Sequence, residues 1–190
     1  MLGGLAMQAI AAKEFGCLHN RRRKQNMDKE LAKVMAWQSE GSWREEAVAG
    51  FRKQMAEWDC AMPGTEILVS DFGLGRFMEI GLVESWIVND TAGNYCGKYL
   101  FTFDGQRCPN HKHNTKRETF FVVKGKVKMT CNGMTRIMLP GDVLTIEPGQ
   151  FHTFVGLGPA LLLEVSMLCI VDDNYFENPD IPYGLNKKKN

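Results

Sequence analysis

From residue 64 to residue 170 the chain is written in short runs of β-branched and aromatic residues, each closed by Gly, Asn, Asp or Pro. This punctuation constrains the fold most, because many short strands at regular spacing close into an antiparallel sandwich or small barrel. It predicts strands over 66–70, 77–82, 84–89, 97–104, 119–124, 126–131, 134–139, 142–147, 151–155 and 161–170. Asn132-Gly133 marks a tight hairpin, since both residues tolerate positive φ. The expected fold class is mainly β, an antiparallel barrel with helices at its N-terminal end.

Before residue 62 the period is helical. Ser42 and Glu45 read as a capping box, in which each side chain satisfies a free amide at a helix start. Trp43, Ala47, Phe51, Met55 and Trp58 then recur at spacings of four and three, one apolar stripe. A second helix is expected over 28–38, with Leu31, Val34 and Met35 facing inward, and Met62-Pro63-Gly64 ends the helical segment. The expected division is therefore a helical attachment over 1–62 and a β domain over 63–190. Met27 opens a better-formed start than Met1, so 1–26 read either as a loosely attached, disordered extension or as an artefact of start-site choice. The opening MLGGLAMQAIAA lacks a basic region before its apolar stretch and falls short of the roughly 18 apolar residues that cross a membrane.

A length of 190 residues suits about one domain, and Lys+Arg 23 against Asp+Glu 22 gives a net charge of +1. No global field draws nucleic acid or an acidic membrane surface, and the basic runs at 21–24 and 187–189 read as solvated ends. The six cysteines are scattered without a CxxC pair, the usage expected of reduced thiols in a cytoplasmic protein.

Three of the four histidines fall within 111–152. On an extended strand His111 and His113 share a face about 7 Å apart. Glu118 follows after a turn, and His152 completes the set from a neighbouring strand. Three imidazoles and a carboxylate suit Mn, Fe, Co, Ni or Zn rather than Ca or Mg, and leave positions open for a substrate. Taken alone, a His-x-His pair equally describes two surface histidines on a strand.

The surrounding pattern is more specific. Gly105, five residues, His111-x-His113, four residues, Glu118, six residues and Gly125 resembles the first cupin motif. Gly141-Asp142 through Pro148-Gly149 to His152 resembles the second, with Glu147 in place of the usual proline and Gly156 in place of the terminal asparagine. The resemblance implies a jelly-roll barrel over about 97–170 with a metal in its mouth, held by His111, His113, Glu118 and His152. Finer likeness to D-lyxose isomerase-type cupins runs through Ser70–Asp90, Tyr95–Phe120, Glu164-Val165-Ser166 and Asp173-Asn174-x-Phe176. It implies a sugar isomerase converting D-lyxose to D-xylulose, with D-mannose and D-fructose as a second pair. The metal expected is Mn(II) first, then Zn(II), Co(II) or Fe(II), and the assembly a homodimer.

Isomerisation needs a base of tuned pKa beside the metal. Glu164 is the first candidate, because it interrupts the apolar run LLLEVSMLCIV, with Leu162 and Ser166 on its face of the strand. It is either a buried base with a raised pKa or a solvated residue on the outer face. Lys116 is assigned to donate to a substrate hydroxyl or developing oxyanion, against the alternative of a solvated loop lysine. By resemblance Asp173 assists proton transfer or binds sugar hydroxyls, although Asp-Asp-Asn is also ordinary turn chemistry. Cys108 reads as a packed wall residue rather than a ligand. An Fe(II) dioxygenase and a non-catalytic metal-containing sugar-binding cupin are the alternatives. A sugar phosphate is disfavoured because no Arg- or Lys-rich phosphate pocket motif is present.

Overall fold

A computed structural model describes residues 30, 32–34, 36–38 and 41–186. Eleven strands form two antiparallel sheets: β1 (Ile67–Ser70), β2 (Leu82–Asp90), β3 (Tyr95–Thr102), β4 (Arg107–Lys112), β5 (Glu118–Lys124), β6 (Val127–Cys131), β7 (Met134–Met138), β8 (Val143–Ile146), β9 (His152–Gly156), β10 (Ala160–Ser166) and β11 (Tyr175–Phe176). One sheet has the order β1-β2-β3-β10-β5-β8, the other β11-β4-β9-β6-β7. Two sheets face to face over a shared core make the jelly-roll architecture of a cupin, as expected, rather than one continuously closed barrel. Trp86, Phe120, Met129, Phe154 and Leu162 fill the space between them, each at most 1% exposed.

The outer face of the six-stranded sheet is apolar as well, and α1 (Ser42–Glu57) covers part of it. Its predicted stripe lies inward. Phe51 and Met55 are 1% and 2% exposed, and Phe51 meets Phe101 at 5.2 Å between ring centres. Burying two such side chains stabilises the docked helix by roughly 1.5–3 kcal/mol each. The capping-box expectation needs correction, because Gly41 occupies the N-cap position and Ser42 is already helical. Of the helix expected over 28–38, residues 30 and 32–34 are helical and Val34 is 4% exposed, while Leu31 and Met35 lie outside the described residues. The expectations for 1–26 and for Cys17 also lie outside them.

Two strand expectations change, and two further strands are present. Of the strand expected over 77–82, Leu82 already opens β2, and residues 77–81 form a turn with only a parallel bridge from Ile80 to Arg107. Its backbone is satisfied locally, since the Glu79 and Ile80 amides donate to the Arg76 carbonyl and the Gln106 side chain donates to Phe77 O at 2.6 Å. β10 ends at Ser166 rather than continuing to 170, because Asn89 ties down both the amide and the carbonyl of Cys169 at 2.9 and 3.0 Å. β4 was hidden by its polar sequence and β11 by its length of two residues. The Asn132-Gly133 hairpin is present, with φ of 47° and 78°. Gly125 has φ 73°, and a Cβ there would run into the Pro159 carbonyl, so the motif glycine is sterically required.

Candidate metal centre and active site

His152 opens β9 directly opposite His111 of β4 in the ladder, and their rings lie 4.2 Å apart. The register of β4 shifts between Cys108 and His111. Pro109 sits in that stretch and has no N–H for the ladder, so a bulge there lets both Cys108 and His111 point inward despite their odd spacing. His113 follows the end of β4, and Glu118 opens β5 beside Ser166 of β10. The ligating atoms of His111, His113, Glu118 and His152 all lie within 4.8 Å of one another.

Each imidazole is oriented by its other nitrogen. Nδ1 of His111 lies 2.8 Å from Pro109 O, Nδ1 of His113 3.0 Å from Asp173 O, and Nδ1 of His152 3.1 Å from Gln150 O. A carbonyl only accepts, so each Nδ1 carries the proton and each Nε2 presents a lone pair to the centre. Burial, reinforced by the neighbouring His152, pushes His111 down to about 3. Burial and the Lys116 charge lower His113 also. For Glu118, burial works upward, but Lys116 and His152 hold the carboxyl well below the usual range.

This leaves lone pairs facing lone pairs. Glu118 Oε1 is 2.7 Å from His152 Nε2 and 3.5 Å from His113 Nε2. Among the described residues, the buried side-chain atoms without a hydrogen-bond partner are Trp86 Nε1, Thr102 Oγ1, His113 Nε2, Glu118 Oε1 and His152 Nε2. Three of the five converge on one point. Buried polar atoms are costly unpaired, so acceptors converging in this way fit a divalent cation.

The other Glu118 oxygen begins a buried chain of alternating charge. Lys116 Nζ lies 2.6 Å from Glu118 Oε2 and 2.9 Å from Glu164 Oε1. Lys98 Nζ lies 3.5 Å from Glu164 Oε2 and 3.0 Å from Glu84 Oε2. All five residues are less than 9% exposed. Burial alone would lower both lysines, but their carboxylate partners outweigh it and raise them, Lys98 strongly. Ser166 donates to Glu164 Oε1 at 2.9 Å. The strand alternation expected around Glu164 is the one observed, since Leu162 and Ser166 are buried beside it while Val165 is 55% exposed.

Glu84 and Lys98 were not among the residues expected at the site, yet the usable signal is the one that exposed Glu164. Glu84 lies between Leu82 and Trp86 at alternate positions, and Lys98 between Cys96 and Leu100. Asp173 sits away from the chain of charges. Its carboxylate accepts from the amides of Asn114, Thr115 and Lys116 at 3.1, 3.1 and 3.2 Å and from the Thr115 hydroxyl at 2.6 Å. Cys108 is 3% exposed and walls the cavity without joining the ligand cluster. The cavity has a volume of about 40 Å³ and is lined both by charged residues, Glu84, Lys98 and Glu164 among them, and by aromatic rings, Trp37, Phe120 and Phe176 among them. No helix among the described residues is long and apolar enough to cross a membrane.

A family model for D-lyxose isomerase matches residues 20–129, more than half of the chain, and one for the cupin domain matches residues 100–166. The chain belongs to the D-lyxose isomerase family. A relative described as D-lyxose/D-mannose isomerase, from Thermosediminibacter oceani, is 33% identical over 143 residues, covering 60% of this chain and 78% of its own. A D-lyxose ketol-isomerase from a Thermofilum species is 31% identical over 144 residues, covering 61% and 79%. Among solved structures, an RmlC-like cupin from Shewanella frigidimarina aligns with TM-score 0.48 and 17% identity over 56% of this chain and 86% of that one. Membership of the D-lyxose isomerase family stands beside a donor set that could hold a divalent ion.

Proposed function

We propose that this chain is a divalent-metal aldose–ketose isomerase that converts D-lyxose to D-xylulose and, less readily, D-mannose to D-fructose. The observation that carries the reading is the placement of Lys116 between Glu164 and the same Glu118 that faces the three imidazoles. His111, His113, Glu118 and His152 would hold the ion. When bound, it supplies a Lewis acid that polarises the sugar carbonyl and offsets negative charge developing on the adjacent oxygens. Mn(II) is the metal we assign first, ahead of Zn(II), Co(II) or Fe(II).

The chain's own groups then divide the proton chemistry. Glu164 takes the C2 proton of the aldose while the C–H electron pair forms the C1–C2 double bond and the carbonyl pair moves onto O1. Lys116 gives O1 a proton and regains one from the C2 hydroxyl as the carbonyl forms at C2, and Glu164 returns its proton to C1. Lys116, held between Glu118 and Glu164, donates to the sugar oxygen that gains negative charge. Lys98 lies against one oxygen of Glu164, while Lys116 and Ser166 hold the other. Three buried carboxylates against two ammonium groups leave one negative charge, which a divalent ion turns to one positive, the complement of a singly ionised enediol. Oxygen chemistry at iron requires no such base between paired lysines, so the isomerase is the reading this wall supports. The scattered cysteines argue for a cytoplasmic setting, and the exposed β7, with Met134 77% and Ile137 50% exposed, argues for a homodimer.

The test strips the protein with chelator, reloads single divalent ions, and follows ketose formation from pentoses and hexoses. Mn(II) is expected to restore turnover of D-lyxose, and H111A and E118A to lose bound metal and turnover together. Metal retained in E118A, or ketose formed by the stripped protein, refutes the assignment.

A further inference from the structure

The residues before α1 carry no part of either cupin motif, yet two of them stand in the wall of the cavity. Val34 and Trp37 line it, 4% and 8% exposed. Trp37 stacks on Tyr183 at 4.9 Å with 19° between planes, and meets Phe176 edge-on at 6.1 Å. Phe176 in turn lies 5.7 Å from the His111 ring. Trp37 therefore stands two ring contacts from His111, in the wall of the same cavity.

The segment is fastened to the site's own turn. Glu30 accepts from the Val171 amide at 3.0 Å, and Lys33 lies 3.5 Å from Asp172. The next residue, Asp173, holds His113 through its carbonyl and the Lys116 loop through its carboxylate. The outer wall and the catalytic loop thus share one anchor, the turn at Val171–Asp173.

We propose that Trp37, carried by this N-terminal segment, is a specificity-determining residue that limits the length of sugar the pocket accepts. The proposal rests on the isomerase reading above. A sugar turns its hydroxyls to the charged wall of Glu84, Lys98 and Glu164 and its C–H edge to the aromatic wall. Trp37 then meets the terminal carbon, and the sixth carbon of a hexose needs the volume that its indole fills. One carbon unit in an apolar pocket discriminates by roughly 10–200-fold, so removing the wall should forfeit about tenfold.

The experiment uses the full chain loaded with Mn(II) and measures kcat and KM for D-lyxose and D-mannose in the wild type, W37L and W37F, with metal content assayed in each. W37L is expected to raise the mannose-to-lyxose ratio of kcat/KM by about tenfold at unchanged metal content, and W37F by less than about threefold. Equal losses on both sugars at a constant ratio would mark Trp37 as structural only and overturn the proposal. Should W37L not fold, V34A at the same wall is expected to raise the ratio at least about threefold, and an unchanged ratio there overturns the proposal too. A wild-type chain that isomerises neither sugar overturns the isomerase reading and this inference together, whereas an active chain with a fixed ratio overturns the inference alone.

Discussion

Asp173 offers the sharpest separation between holding the site and acting in it. Its carboxylate receives four hydrogen bonds from three consecutive loop residues, Asn114, Thr115 and Lys116. In D173A all four are lost. Asn114 and Thr115 are exposed, so their freed donors turn to water, but the Lys116 amide is buried and stays unpaired. One buried unsatisfied donor costs about 1–3 kcal/mol and each of the other three bonds contributes about 0.5–1.5 kcal/mol, giving an expected loss of about 5 kcal/mol. D173N keeps one acceptor oxygen for the three bonds at Oδ2 and turns an NH2 toward the Asn114 amide, an expected loss of about 2 kcal/mol. The His113 bond is to the main-chain carbonyl, so both variants should retain metal. Denaturant unfolding of the metal-loaded protein gives the stability change, and steady-state kinetics with metal content gives the rest. A loop-holding Asp173 lowers turnover in proportion to the displacement of Lys116, with D173N intermediate between wild type and D173A. Stability unchanged within about 1 kcal/mol, together with equal collapse of turnover in both variants, would refute the positioning argument and make Asp173 a group that acts on the sugar itself.

Three further outcomes follow from the same geometry. E164Q should keep its metal and its fold, because Lys98 retains Glu84 and Lys116 retains Glu118, but turnover should fall at least about 100-fold; full activity would remove Glu164 as the base. K98M strips the nearest cation from buried Glu84 and should destabilise the protein by about 3–5 kcal/mol, and adding E84Q should recover part of that; a strictly additive double variant would deny the coupling. Metal-free protein should lose stability as pH falls from about 6.5 toward 3, since the unfolded chain protonates a histidine near 6.5 while folded His111 resists to about 3; at pH 5 that difference is about 2 kcal/mol, and a flat calorimetric profile between pH 7 and 5 would contradict it.

What the sequence disclosed and what it concealed have one physical origin. The four clustered donors, His111, His113, Glu118 and His152, were legible because their spacing is fixed by local geometry, a bulged strand, a turn and a glycine whose φ no other residue shares cheaply. β4 was illegible as a strand for the same reason that it works as a ligand carrier: a run reading RCPNHK has polar residues and a proline where a core strand would have valines. Glu84 and Lys98 were hidden differently. In β2 the residues Leu82 through Trp86 are all buried, because α1 covers the outer face of the sheet while the core covers the inner one. With both faces apolar, alternation no longer separates inside from outside, and a single acid looks like a surface interruption. The useful question is what flanks it at alternate positions. Glu84, Lys98 and Glu164 each share a face with large or buried neighbours, and the ladder sets Lys98 directly across from Glu164. A charge placed so can remain buried only if the adjoining strand presents the opposite sign. Three such interruptions on adjoining strands therefore imply one buried network.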